Sequence, residues 1–413
     1  MTYDTVVIGV GLAGLTAALR LAEEGRRVLV VAKGVGATHL SPGTIDVLGY
    51  TDGPVSSPAR ALPDFAAAHP EHPYARVSAD MIRASLGWLA ERVGGYSGGL
   101  DENLLLPTAV GAAKPSALVP ETMTAGDVRG GGPFVFVGLR GLKDFYPDLL
   151  AENVSSVGSV AARAVEVSPP LDGEADVSSV GFARRFEQPE FREAVVRELQ
   201  GRLEDGERVG FPAVLGLSRV REVWSGLEAG LDRPVFEVPT LPPSASGVRL
   251  YEALTAALRK AAGRIVVGST IVGAEGENGR LDGAVAQTAG RARIYRARSF
   301  VLASGGFASG GLQLDSYGNV RETVLDLPVA GVPEQDAERF RPGYFDEQPL
   351  ARAGVAVDDE LRPVGDDGAP VYENLHAAGA TLAGAIPWRE GSGNGLSLAT
   401  GYAAATAILG RDS

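Results

Sequence analysis

A strand, the spacing GxGxxG and a helix at the N-terminus, a strand ending in small residues at 299–312, and a strand, glycine loop and helix over 373–409 together predict an α/β fold. The expected architecture is a Rossmann-like FAD/NAD(P)-binding fold with an inserted α+β cap domain. Residues 1–60 and 245–413 are expected to supply a discontinuous nucleotide domain, with 65–240 as the insertion.

The first element is TVVIGVGLAGLTAALRLAEEGRRVLVV at 5–31. An apolar strand runs into Gly9, Gly11 and Gly14. A helix follows with Leu15, Ala18, Leu19 and Ala22 on one face, Gly25 stops it, and a second apolar strand begins. Gly9 permits the tight turn, Gly11 lets backbone amides approach a pyrophosphate, and Gly14 lets the helix pack against the strand. The helix N-terminus then directs partial positive charge at phosphate. The second strand, VLVVAKG, closes on Ala32 and Lys33, where a carboxylate for a ribose would ordinarily stand.

In the second element, GRLDGAVAQTAGRARIYRARSF alternates as a β-meander and leads into SFVLASGGFASGGL. Ser304 and Gly305 at that strand end let a cofactor lie against backbone. The third element, ENLHAAGATLAGAIPWREGSGNGLSLATGYAAATAIL, gives a strand ending at Gly379, a loop with Gly393 and Gly395, then a helix starting near Leu396. A second helix N-terminus thus joins the same site, next to the edge of a flavin ring that gains negative charge on reduction. Nicotinamide dehydrogenases do not need this C-terminal return, so the motif set selects a flavin.

The middle of the chain has no second fingerprint. It carries proline-rich turns, the strand PFVFVGL and a helix in EFREAVVRELQGRLEDG. Its position between two halves of a nucleotide domain predicts a cap that forms a substrate or partner surface.

Composition narrows the function. A net charge of -13 argues against a nucleic-acid binder, which would need a basic face. The absence of cysteine excludes disulfides, thiol nucleophiles and iron–sulfur ligation by this chain. No HExxH and no dense carboxylate cluster is present, so no metal site is expected. The apolar N-terminal stretch ends at Arg20, too short to span a bilayer and without a positive leader, which predicts a cytoplasmic protein.

The opening motif, the LASGG strand and the NLHAAGA…GSGNGLSLATG ending resemble the two-dinucleotide-binding-domain flavoproteins, the group of fumarate reductase flavoprotein subunits and L-aspartate oxidase. A narrower resemblance rests on ATHLSPGTIDVLGY, EHPYA, LLLPTAVGAAKPSALVPETM, VFVGLRGLKDFYPDLLAENV, GFPAVLGL and EVPTLPPSASGVRLYEAL. These stretches are similar to the B subunit of anaerobic glycerol-3-phosphate dehydrogenase. That resemblance implies a three-subunit enzyme that oxidises sn-glycerol 3-phosphate to dihydroxyacetone phosphate. The A subunit carries FAD and the dehydrogenase chemistry, the B subunit is a flavoprotein usually described with FMN, and a cysteine-rich iron–sulfur C subunit passes electrons to quinone. Membrane contact is then peripheral, through a partner. The glycine motif suits the pyrophosphate of FAD, whereas FMN would leave the adenosine half of the groove unused.

The wider group also implies site residues. A segment after Lys33 presents backbone to the ring, which points to Ser41, Gly43 and Thr44, with His39 as a candidate acid or base. Glu237 and Arg249 lie where the chain returns from cap to core and are candidates to face the ring, Arg249 as a phosphate clamp. A stand-alone reductase of the succinate/fumarate type and a flavin-binding scaffold without a redox step of its own are the alternatives. His376 is expected to pack or touch the cofactor, and His69 and His72 to be turn residues.

Overall fold

The computed structural model describes residues 2–157, 160–287, 290, 292–343 and 345–411. The chain starts with β1 (Tyr3–Ile8), α1 (Leu12–Glu23) and β2 (Val28–Ala32). Then α2 (Pro58–Ala68) and α3 (Ala79–Val93) form a helical pair. The side chain of Ser78 caps α3 by accepting from the Met81 amide, and Gly94 stops it at φ 71°. Short strands follow: β3 (Tyr96–Gly98), β4 (Leu104–Pro107), β5 (Ala113–Ser116) and β6 (Leu118–Pro120), pairing antiparallel as β3 with β6 and β4 with β5.

The insertion proper alternates strand and helix: β7 (Phe134–Leu139), α4 (Pro147–Val157), β8 (Ala162–Val167), α5 (Ser179–Phe186), α6 (Pro189–Leu199), β9 (Arg208–Pro212), α7 (Val220–Leu231) and β10 (Val235–Val238). Helix α6 is shorter than its charged sequence suggests. Gln200 turns away from helical geometry and Gly201 takes φ 78°.

The chain then returns through α8 (Ala245–Lys260), β11 (Arg264–Val267), β12 (Thr270–Glu277), β13 (Arg280–Gln287) and β14 (Arg293–Leu302). A small hairpin, β15 (Leu312–Leu314) with β16 (Val320–Glu322), leads to β17 (Leu375–Ala377), α9 (Pro387–Glu390) and α10 (Gly393–Arg411). Part of the expected meander turn, at 288, 289 and 291, lies outside the described residues.

The main sheet runs β11-β2-β1-β14-β13-β12, with β17 also pairing with β14. Strands β11, β2, β1, β14 and β17 are parallel, so β1 is covered on both faces and reads as an apolar run. Val7 sits opposite Val30 and Val301, placing the ends of β1 and β14 side by side. The last helix packs against the first. A Cβ on Gly401 would fall 2.4 Å from the Ala13 carbonyl, so the small residues of α10 are what let the two axes approach.

The two largest of four hydrophobic clusters among the described residues meet later in the chain than the expected boundary at residue 65. Leu62, Ile82, Leu86 and Trp88 of α2 and α3 pack with α1 and α10, whereas the second core spans Phe134 to Ala245. Helices α2 and α3 therefore pack with the core beneath the main sheet. The second core surrounds a parallel sheet in the order β10-β9-β7-β8. Its centre is a ring cluster in which Phe134, Phe136 and Phe236 meet at centroid distances of 4.9–5.9 Å.

Candidate functional site

A groove of about 880 Å³ opens at the carboxyl ends of β1, β2 and β14, where an open parallel sheet places its ligand. Gly9, with φ 114°, forms its floor. A Cβ there would lie 2.1 Å from the Ala303 carbonyl, and one on Gly14 would lie 2.1 Å from the carbonyl of Gly9. These glycines close strand, turn and helix upon one another. Gly11 is different: its missing Cβ would meet nothing within 4 Å, because it faces the groove.

Of the residues expected to hold a cofactor, Gly9, Gly11, Lys33, Ser304, Gly305 and Gly379 line the groove. Gly14 stands one turn into α1 and supports Gly9. Ser41, Gly43 and Thr44 lie behind the wall. The Ser41 hydroxyl donates to the Thr38 carbonyl at 2.8 Å, and Gly43, at φ 79°, is pressed on Ser246. Gly393, Gly395 and Leu396 also stand back: the Gly395 amide donates to the Asp46 carbonyl at 2.9 Å, and Leu396 is buried. Their neighbours Asn394 and Ser397 reach the groove instead, because residues three apart share one face of α10.

Among the described residues, Lys33 is the single charged residue in the lining, which contains no carboxylate although the protein as a whole is acidic. Helices α1 and α10 both begin at the groove with no acidic residue in their first turn. Exposed amides, one ammonium and no opposing anion suit a phosphate-bearing ligand. Two buried hydroxyls in the wall, Thr38 Oγ1 and Ser304 Oγ, have no hydrogen-bond partner among the described residues. A polar ligand would satisfy both.

The groove also extends beyond the glycine turn. Beyond Lys33 the wall continues through Gly34 and Val35 on one side and Ser269, Thr270, Ile271 and Val272 on the other. Sequence reading misses this second side, since it depends on β12 starting beside the end of β2. The Ala32 carbonyl accepts from the amides of Gly268 and Ser269 at 2.9 and 3.2 Å, so the backbone there is already engaged. The groove thus has the extent and donor set for FAD. Its isoalloxazine, when bound, supplies the redox chemistry, and the residues of this chain hold and orient it.

The three candidate catalytic residues lie outside the groove lining. Arg249 donates to Glu237 through both terminal nitrogens at 2.7 and 2.8 Å and through Nε to the Gly216 carbonyl at 2.7 Å. Glu237 also accepts from the Thr122 hydroxyl and the Leu215 amide, and its side chain is fully buried. Burial raises the Glu237 carboxyl; the adjacent guanidinium and these hydrogen bonds outweigh it, so the net shift is downward. Glu237 and Arg249, the two candidates to face the ring, form a buried pair joining α8 to the carboxyl edge of the inserted sheet.

His39 occupies a 3-10 turn, Thr38–Leu40, packed on the start of α8, and its carbonyl accepts from the Ser244 amide at 3.3 Å. His376 points its Nδ1 to the Glu360 carbonyl at 2.8 Å, and burial lowers its affinity for a proton. His72 does more than shape a turn. Its Nδ1 accepts from the Tyr74 amide and its Nε2 meets Glu390 at 3.2 Å, a pairing across 318 positions that no local pattern announces. Among the described residues no cluster of three or more His, Cys, Asp or Glu side chains could hold a metal.

Similarity to known proteins agrees with this geometry. The FAD binding domain family matches residues 4–396. A protein from Halobacterium salinarum, named as a probable B subunit of anaerobic glycerol-3-phosphate dehydrogenase, is 36% identical over 98% of this chain and 97% of its own length. Proteins of Yersinia pestis and Pectobacterium carotovorum, each named as the B subunit of the same enzyme, are 33% and 35% identical over 99% of this chain, covering 98% and 99% of those proteins. Matched at this identity over nearly its whole length, the chain belongs to the FAD binding domain family and, within it, to the B-subunit flavoproteins of anaerobic glycerol-3-phosphate dehydrogenase.

Proposed function

We propose that this chain is the B-type flavoprotein subunit of a quinone-linked glycerol-3-phosphate dehydrogenase, carrying FAD in the groove described above. The complex oxidises sn-glycerol 3-phosphate to dihydroxyacetone phosphate, and this chain relays electrons between an FAD-containing A subunit and an iron–sulfur C subunit. The observation that carries the reading is the groove itself: two helix N-termini and Lys33 converge on a charge-poor cleft that extends past Lys33 to Val272. A chain without cysteine leaves any iron–sulfur cluster to a partner.

The commitment of Arg249 to Glu237 favours a relay over a substrate-oxidising role. The guanidinium that could clamp a phosphorylated polyol is already paired, so phosphate recognition falls to the A subunit. Contact with a membrane runs through a partner, for no helix among the described residues is long and apolar enough to cross one.

The test has two steps. Cofactor released by denaturing the purified chain is identified by mass, where FAD supports the reading and FMN or no flavin contradicts it. The A and C subunits are then assayed with glycerol 3-phosphate and a quinone with and without this chain. Full quinone reduction without it would remove its place in the relay.

A further inference from the structure

Behind the α10 end of the groove wall lies a closed ring of polar contacts that the cofactor site does not itself use. Lys114, on β5, places Nζ 2.6 Å from Asp46 Oδ2 and donates to Thr44 Oγ1 at 2.9 Å. The Thr44 carbonyl accepts from Asn394 Nδ2 at 2.7 Å, and the Asp46 carbonyl accepts from the Gly395 amide at 2.9 Å. Asn394 lines the groove. One cation and one anion therefore sit one residue behind the wall, anchored to the first turn of the helix that faces the ligand.

This pair is unlike the surface ion pairs of the protein. The Lys114 and Asp46 side chains are only 25% and 13% exposed, and Asp46 Oδ1 is buried without a hydrogen-bond partner among the described residues. Charges held in such surroundings are weakly screened, and each acts on the groove with its own sign.

We propose that Lys114 and Asp46 are positioning residues whose opposed charges each bias the reduction potential of the flavin, acting from behind the wall through Thr44, Asn394 and Gly395, so that the pair holds the potential where neither charge alone would. The proposal rests on the reading that the groove holds FAD. Reduction adds negative charge to the ring, so the ammonium favours the reduced form and the carboxylate opposes it. The paired charges largely cancel, and removing either one exposes the other.

The experiment measures flavin content first, by denaturation, and then the midpoint potential of the bound flavin against a reference dye. The wild type is compared with Lys114→Met, Asp46→Asn and the conservative Lys114→Arg. Lys114→Met is expected to disfavour reduction and Asp46→Asn to favour it, each by about tenfold in the reduction equilibrium, or about 30 mV for a two-electron couple. Lys114→Arg is expected to stay near wild type.

A merely structural role would move both single variants in the same direction, or neither, and either result at unchanged flavin content overturns the proposal. If Lys114→Met or Asp46→Asn does not fold, Lys114→Gln or Asp46→Leu takes its place, with the same opposite shifts expected and the same outcomes overturning the proposal. A wild-type chain that carries no flavin overturns the underlying FAD reading instead, and is recognised before any potential is measured.

Discussion

The protein contains two largely parallel sheets flanked by helices, and they end differently. At the carboxyl edge of the main sheet the turns are Gly9 to Gly14, Ala303 to Gly305 and Ala378 to Ala380, and a groove remains open. The inserted sheet has the strand order β10-β9-β7-β8, which reverses between β7 and β9 as a ligand-binding doubly wound sheet does. Its carboxyl edge is nevertheless filled. After β7 the sequence GLRGLKDFYP buries Leu142 and Phe145, and Gly141 is packed beneath Leu171 and Phe182. Beside β9 and β10, Arg249 arrives from α8 and plugs the edge against Glu237. The same topology can thus hold a cofactor or hold another part of the chain, and side-chain volume at the strand ends decides which.

The largest expected effect breaks the plug. Glu237→Ala leaves the Arg249 guanidinium buried without its partner and should cost about 3–5 kcal/mol, read as a lowered denaturation midpoint. The comparison also requires that flavin content stay unchanged where the variant remains folded. Replacing both residues by apolar ones, Glu237→Leu with Arg249→Met, should restore much of the loss. If Glu237→Ala released the flavin from a folded protein, the two sheet edges would not be separate in function.

Next in size is the open edge. Gly9→Ala forces an unfavourable φ and a clash with the Ala303 carbonyl, which should cost about 1–3 kcal/mol. Flavin recovered per chain should fall on the order of tenfold, because the turn that carries the pyrophosphate amides must shift. The corresponding Gly141→Ala in the inserted sheet should lower stability and leave bound flavin alone.

Acid should weaken both regions, through Glu237 in the plug and through Glu390 beside the start of α10. Glu237 and Glu390 both have lowered proton affinity in the native state, in each case because attractive partners outweigh burial. The unfolded chain then binds more protons than the native one as pH falls through the ordinary glutamate value of 4.5. Their stabilisation is therefore fully present above that pH and is lost progressively below it. Denaturation midpoints measured from pH 6 down to about pH 3 should fall, and Glu237→Gln should flatten the slope.

The smallest effects sharpen the account of the open edge. Thr38→Val and Ser304→Ala each remove a buried wall hydroxyl that has no partner among the described residues, so each should weaken flavin binding by about 1 kcal/mol, roughly fivefold, with little change in apoprotein stability. Lys33→Ala should weaken it by about threefold, and the difference should shrink in high salt because Lys33 is exposed.

Much of this is legible in the chain as written. The period of apolar residues marks β1, α1 and β2, the glycine spacing marks the turn, and the small residues at 303–306 and 377–380 mark two further strand ends. What can be read is local: a glycine reports the conformation of its own turn, and a strand reports its own burial. The groove residues found from sequence are those that need a particular backbone, such as Gly9 and Gly305.

Tertiary structure alone decided the partners. Nothing near Glu237 in sequence indicates that Arg249 will occupy it rather than a substrate, and nothing near His72 points to Glu390. Sequence singles out the glycines beside Asn394 and Ser397 rather than those two residues, because only the docking of α10 on α1 fixes which face of that helix meets the groove. Periodicity and turn chemistry depend on residues a few positions apart. Charge pairing and cavity shape depend on groups brought together from opposite ends of the chain, and that is settled only when the cores have packed.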